Sequence, residues 1–516
     1  MSKQRKNWQS KLGFILAASG SAIGLGNIVF FSSNAYQYGG GAFYLPYFFA
    51  LFFLGLPIMI VEFGMGTMTH QSFPLALRKL VGRRGEFVGW WAIFGSTLIT
   101  MYYVVILGWA LGMLVGTFGS LFEPGITAPF TPFTEPTAEP SAIVYFFDMI
   151  ASWNPVIYIA IIWFAMGWIL RHGTASIERA VRWFVPLMWL FMIGLAVRGL
   201  TLEGGLDGIM YLFTPDFAGI ADVNVWRGAF SQMFFSLSLG MGIMTAYASY
   251  LPKEADQVNN SMLVSFLNCG FEFIAGTAIF ALLFVFALNP AGSTLSLSFF
   301  VIPQGINELS TSPWIVRFFG FTFFLLMVMA GLTSAVSLAE AFVSALIDKL
   351  GITRMRALTL VTVAGAIGSF CFSLPQIIDV GLSGNGTLGL TLLDVADHWV
   401  FNYSLLFVGL SEVILIGWVL GAGTLREAIN QHARLKLGVW FEVLIRYFIP
   451  GLLIFVIVLS LKSEFSSDAK AGVPYGSAYD IPGYEWIPYA IPLIWLVGSI
   501  GFAWYISGLK TQGGAR

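Results

Sequence analysis

Residues 20–27 read Gly-Ser-Ala-Ile-Gly-Leu-Gly-Asn and lie in the middle of the first long apolar segment. Each glycine costs a helix interior roughly 1 kcal/mol relative to alanine. A bilayer core holds no water to satisfy backbone groups freed by a break. Two chemistries fit such a run. Gly20 and Gly24 form a small-xxx-small pair suited to a close helix crossing. Alternatively, freed carbonyls and amides bind an ion or a polar ligand. A second interruption, Ser238-Leu-Gly-Met-Gly242, falls in a later apolar segment. Glu272 is an acid within another. Intramembrane carboxylates are costly and usually functional, the alternative being a salt-bridged or protonated acid with a structural role. The four histidines, His70, His172, His398 and His432, are scattered without metal-ligand spacing, so nothing points to an enzyme.

The elements that position these residues are membrane helices. The 516-residue chain is 57% hydrophobic and 10% charged, where soluble domains carry about 25% charge. Its mean hydropathy is +0.80. The net charge of −1 gives no reason to expect a nucleic-acid partner. Cys269 and Cys371 sit in separate apolar segments, which argues against a disulfide framework. No small-residue cleavage site precedes the glycines, so the first apolar segment reads as a span and not as a signal peptide.

Segments long enough to cross a bilayer number about twelve. They lie near residues 12–31, 42–65, 87–118, 155–170, 183–197, from 225 through the second break, 262–288, 316–346, 358–374, 399–420, 439–461 and 487–509. A basic loop with Arg78, Lys79, Arg83 and Arg84 follows the second span. Residues 123–140 form a loop without Lys or Arg. With both termini in the cytoplasm, most of the 26 basic residues fall inside, as the positive-inside rule requires. Five spans separate the two breaks. An odd spacing gives the halves opposite topology, and paired interrupted segments in inverted halves point to a secondary transporter's binding site.

At this point the chain resembles the neurotransmitter:sodium symporter family, in its bacterial amino-acid branch. The resemblance is carried by Ser21-Ala-Ile-Gly-Leu-Gly-Asn27, Gly39-Gly-Gly-Ala-Phe43 with Pro46-Tyr47, Met101-Tyr-Tyr103, and Gln232-Met-Phe-Phe-Ser-Leu-Ser-Leu-Gly240. Tyr247-Ala-Ser-Tyr250, Ala330-Gly-Leu-Thr-Ser334 and Gly409-Leu-Ser-Glu412 continue it. It implies an all-α membrane protein of about twelve helices, with a LeuT-like 5+5 inverted repeat and broken helices 1 and 6. The whole of 1–516 would be one transporter domain. The repeats would cover about residues 8–200 and 225–421, with two further helices near 439–509.

The resemblance also implies two sodium ions. The first set of ligands would be the Ala22 carbonyl, Asn27, Ser236 and Asn268, with the substrate's carboxylate added. The second would be the carbonyls of Gly20, Ile23 and Ala330 with the hydroxyls of Thr333 and Ser334. Taken alone, Thr333 and Ser334 read equally as helix–helix or back-bonding hydroxyls. The substrate carboxylate would meet the Leu25 and Gly26 amides and the Tyr103 hydroxyl. Its ammonium would meet the carbonyls of Ala22, Phe235 and Ser236 and the Ser238 hydroxyl. Gly24 stands where monoamine carriers of the family have an aspartate, which implies a substrate bringing its own carboxylate. Ile99, Phe235, Met241 and Leu338 would line an apolar pocket, or else serve as ordinary packing.

Glu272 would supply the negative charge that chloride provides in other members. Arg5, Trp8, Tyr250 and Asp348 resemble an inner gate. The outer gate departs from the family: Asp397 is present, but Phe30 stands where its arginine partner belongs. An aromatic lid of Tyr103, Phe235 and Phe30 is expected instead, with Asp397 solvated or paired elsewhere.

The function implied is chloride-independent, sodium-coupled symport of a neutral, hydrophobic amino acid by alternating access. The protein would sit in the cell membrane as a monomer or homodimer. The competing readings are a carrier of another small zwitterion or carboxylate, such as an osmolyte, and a channel. No pore loop or ring of like charge supports the channel. Asn385-Gly-Thr387 is a formal glycosylation sequon on an outer loop.

Overall fold

The first apolar segment does break at the glycines. Helix α1 (Lys11–Ala22) opens on a Ser10 cap whose hydroxyl accepts from the Gly13 amide, a standard N-terminal arrangement. It stops because Ile23 turns extended, with φ −73° and ψ 90°. The chain resumes as α2 (Gly26–Gln37), bent 57° from α1. The computed structural model describes residues 7–119, 141–288, 294–378, 388–465 and 483–512. Arg5, residues 123–140 and the sequon at Asn385 lie outside the described residues.

Next come α3 (Gly41–Thr69), α4 (Phe73–Val81) and α5 (Arg83–Gly116). The expected basic loop is therefore mostly helix. Pro74 suits a first helical turn, and Phe73, Leu75, Ala76 and Leu77 are buried beneath the charged Arg78 and Lys79. Gly82, at φ 83°, breaks α4 from α5. The fourth span is preceded by α6 (Ala142–Ile150), set at 82° to α7 (Asn154–Leu170). Helices α8 (Thr174–Leu200) and α9 (Gly205–Phe213) follow.

The second break separates α10 (Val223–Ser236) from α11 (Ile243–Ala248). Between them Ser238, Gly240 and Gly242 all take positive φ, at 55°, 71° and 74°. Ser238 is the informative one, since a non-glycine residue in that region is strained. The chain continues through α12 (Gln257–Val285), α13 (residues 294–308), α14 (Pro313–Leu350) and α15 (Arg354–Ile378). It closes with α16 (Leu390–Asn430), α17 (Val439–Glu464) and α18 (Ile487–Gly508).

Among the described residues, nine helices are long and apolar enough to cross a membrane, or eleven with the two bent pairs counted as single spans. The halves of the α10–α11 pair, at 14 and 6 residues, are each too short to cross alone. No strand occurs among the described residues. Phe164, Trp183 and Trp504 are among many large apolar side chains on the outer surface. Exposed apolar area of that kind marks contact with lipid or a partner, and span-length helices make it lipid. The α1 and α10 breaks are brought together against α5, α12 and α14.

Candidate functional site

Asn27 joins the two breaks. Its Oδ1 accepts from the Gly24 amide at 2.8 Å, closing a short loop over the α1 break. Its Nδ2 donates to Asn268 Oδ1 at 2.8 Å and to Ser236 Oγ at 3.1 Å. Asn268 Nδ2 also donates to Ser236 Oγ, at 2.5 Å. With two donors arriving, the Ser236 hydroxyl donates in turn to Glu272 Oε1 at 2.8 Å. Gln232 Nε2 donates to the same oxygen at 2.8 Å, and the Tyr47 hydroxyl donates to Oε2. Asn27, Ser236, Asn268 and Glu272 are all buried. A buried polar chain is stable only when its members are satisfied, and here every carboxylate oxygen has a donor. Glu272 is thus held by neutral hydrogen bonds.

A second cluster forms where α14 meets α1. Ser334 Oγ donates to the Ser21 carbonyl at 2.8 Å, and Ser238 Oγ reaches the same carbonyl at 3.4 Å. Thr333 Oγ1 back-bonds to the Ala330 carbonyl at 2.8 Å. Gly20 lies against Thr333, whose Cβ would be 3.9 Å from an added Cβ. Gly20, Ala330, Thr333 and Ser334 are therefore close in the fold, with Ile23 at the end of α1; the Thr333 hydroxyl stays on Ala330, and the Ser334 hydroxyl goes to Ser21. The Ser238 hydroxyl, expected to face an ammonium, is turned to that carbonyl.

These clusters border one cavity of about 570 Å³. Ala22, Leu25, Gly26, Ile99, Tyr103, Phe235, Ser236, Ser238, Met241, Ser334 and Leu338 all line it, so every expected substrate residue faces the same space. Tyr103 OH accepts from the Leu25 amide at 3.2 Å. These two expected carboxylate donors thus bond to each other. At Gly24 an added Cβ would lie 2.7 Å from Ser334 Oγ and 3.2 Å from Tyr103 OH. A side chain at that position would have to displace the Ser334 hydroxyl and press on that of Tyr103.

The lid differs from expectation. Phe401 stacks on Phe235 at 4.2 Å between ring centroids and on Phe30 at 6.3 Å. The expected lid residues Phe30 and Phe235 thus meet through Phe401, and Tyr103 lines the same cavity. Asp397 is paired: Tyr102 OH donates to its Oδ1 at 2.7 Å. At the opposite end, Trp8 Nε1 donates to the Tyr247 carbonyl at 2.9 Å, and its ring meets Tyr250 edge-on. Tyr250 OH donates to Glu340 at 2.8 Å, and Glu340 is ion-paired with Arg354. Asp348 accepts from the Ser72 amide at 2.7 Å. The expected Trp8–Tyr250 contact is present, but Tyr250 is directed to Glu340.

Sequence reasoning missed Ser21, Glu62, Glu340, Arg354 and Phe401. Glu62 is buried in α3 and its Oε1 accepts from the Gly240 amide at 2.8 Å, capping a group freed by the second break. An acid within an apolar span is the same signal that singled out Glu272, so Glu62 was findable by it. Phe401 carried no such signal.

Comparison with known proteins agrees with this geometry. The profile of the Sodium:neurotransmitter symporter family matches residues 5–123 and 148–495. An uncharacterized sodium-dependent transporter of Methanocaldococcus jannaschii is 39% identical over 507 residues, covering 94% of this chain and 96% of the relative. The sodium- and chloride-dependent GABA transporter 2 of Bos taurus is 28% identical, over 83% of this chain and 75% of its own. Among solved structures, MhsT in complex with L-phenylalanine superposes with a TM-score of 0.75 at 31% identity, covering 88% of this chain and 99% of that one.

Proposed function

The chain belongs to the sodium:neurotransmitter symporter family, and from that premise we propose that it carries a neutral, hydrophobic amino acid by sodium-coupled symport. The observation that carries the reading is the meeting of two helix breaks at one cavity, joined through Asn27, Ser236 and Asn268. Breaks of this kind present carbonyls to cations and amides to carboxylates.

Two sodium ions are proposed. One is held by Asn27, Ser236, Asn268 and the Ala22 carbonyl together with the substrate carboxylate. The other is held by the carbonyls of Gly20, Ile23 and Ala330 and by Thr333 and Ser334. To bind it, Thr333 and Ser334 must keep their protons aimed at carbonyls while presenting oxygen lone pairs, which a hydroxyl allows. The Leu25 amide and Tyr103 hydroxyl separate and both turn to the carboxylate. With glycine at position 24 there is no acid there to pair a lone amine, which favours a zwitterion. Ile99, Phe235, Met241 and Leu338 supply the apolar wall, and methionine adapts to different side-chain shapes.

Glu272 provides the fixed negative charge beside the first sodium, making transport chloride-independent. Binding of ligand and ions favours the outward-facing and occluded states, and release follows opening at the Trp8 end. The excess of basic residues in the loops on that side supports a cytoplasmic position for it and for both termini. One transport unit spans the chain.

The relatives named for GABA and taurine transport support a second reading, a carrier of a different small zwitterion. A thermal-shift screen of amino acids, GABA and taurine, each with and without sodium, separates the two. Sodium-dependent stabilisation by large apolar amino acids is expected. Stabilisation by GABA or taurine alone supports the second reading, and none by any compound would falsify both.

A further inference from the structure

Phe30, Phe235 and Phe401 come from three separate helices, α2, α10 and α16. All three are half-buried and line the same cavity. Rings serving only as core filler would be covered on all sides. These remain partly open and stack on one another: the Phe401 and Phe235 planes differ by 25°, and the Phe401 and Phe30 planes by 23°. Phe30 also folds back along its own helix. Its Cδ2 lies 3.4 Å from where a Cβ on Gly26 would be, so the ring shelters the backbone of Gly26. Asp397 is engaged by Tyr102 on α5 and does not reach across the cavity to α2. Asp397 and Phe401 share a π-helical stretch, Asp397–Ser404. Wider turns of this type often occur at functional sites.

We propose that Phe401 is the closing residue of the outer gate, clasping Phe30 and Phe235 in place of a charge pair. The proposal rests on the transporter reading of this cavity. Offset-stacked rings attract each other beyond their buried area. Removing the middle ring leaves Phe30 and Phe235 without a shared partner and should widen access to Ile99, a buried residue lining the same cavity. Because the clasp is apolar, its closure depends weakly on ionic strength, whereas an exposed ion pair is screened by salt.

The test uses the full chain in lipid nanodiscs, with Cys371→Ser removing the exposed thiol and Ile99→Cys placed as a reporter. Labelling by a bulky, membrane-impermeant maleimide is timed in sodium. Phe401→Ala is expected to speed labelling about tenfold, the scale of one lost aromatic pair. Phe401→Leu should fall between, and Asp397→Asn should label at the parental rate. Parental labelling in Phe401→Ala, or equal acceleration by Asp397→Asn, overturns the proposal. Should the alanine variant fail to fold, Phe401→Leu and Phe401→Tyr decide by the same criterion: leucine must accelerate labelling and tyrosine must not. The readout needs no substrate. A clasp that gates labelling in a protein that binds no amino acid leaves the gate standing and removes the transport reading.

Discussion

Ser236 donates to Glu272 at 2.8 Å while accepting from both Asn27 and Asn268. One hydroxyl thus links the carboxylate to both amide side chains proposed for the first sodium. A charge change at Glu272 is felt through a single bond at Ser236, and a cation at Ser236 is felt at Glu272.

The first prediction concerns chloride. Replacing chloride by gluconate is expected to leave sodium-driven uptake unchanged. Glu272→Ser should lower uptake in gluconate and recover part of it in chloride, because the mobile anion then supplies the missing charge beside the sodium. Uptake by the parent that collapses without chloride sinks the proposed role of Glu272.

The second concerns Asn27. Asn27→Ala removes the Gly24 loop closure and both links to the second break. Sodium titration of ligand binding should shift to about tenfold higher concentration, the effect of losing one or two buried hydrogen bonds. Unchanged sodium dependence would exclude Asn27 from the ion site.

The third concerns Gly24. An alanine methyl there would stand 2.7 Å from Ser334 Oγ, closer than van der Waals contact permits. Gly24→Ala should abolish sodium-dependent ligand stabilisation while the variant still purifies as a folded protein. Ligand binding at parental affinity would show that the cavity does not use this space.

The fourth concerns the buried pair of Glu340 and Arg354. Glu340 is fully buried, and Arg354 also donates to the Leu170 carbonyl at 2.8 Å and 2.9 Å. Arg354→Met leaves Glu340 with Tyr250 and no cation. An uncompensated buried charge costs about 3 kcal/mol or more, so a clearly lower melting temperature is expected, with Glu340→Gln in the same background restoring part of it. A double variant no more stable than Arg354→Met counts against charge as the cause.

Much of this protein could be read along the chain. Apolar length and the positions of glycine are local properties, so the helical membrane fold and both breaks were legible from residues 20–27 and 238–242. So were the candidate cavity residues, through motifs carried over one position at a time. The α4 helix was not, because two adjacent cations at Arg78 and Lys79 hid the apolar face running through Phe73 and Leu77.

The sequence by itself determined that long apolar helices dominate, where two of them must part, and that phenylalanine stands at position 30 where an arginine was expected. Tertiary structure alone decided what each freed group meets. Ser21 and Ser334 are 313 positions apart, Tyr102 and Asp397 are 295, and Glu62 and Gly240 are 178. No periodicity encodes such pairings. They follow from how helices cross, and a half-turn of rotation in α16 would take Phe401 out of the cavity and its ring away from Phe235.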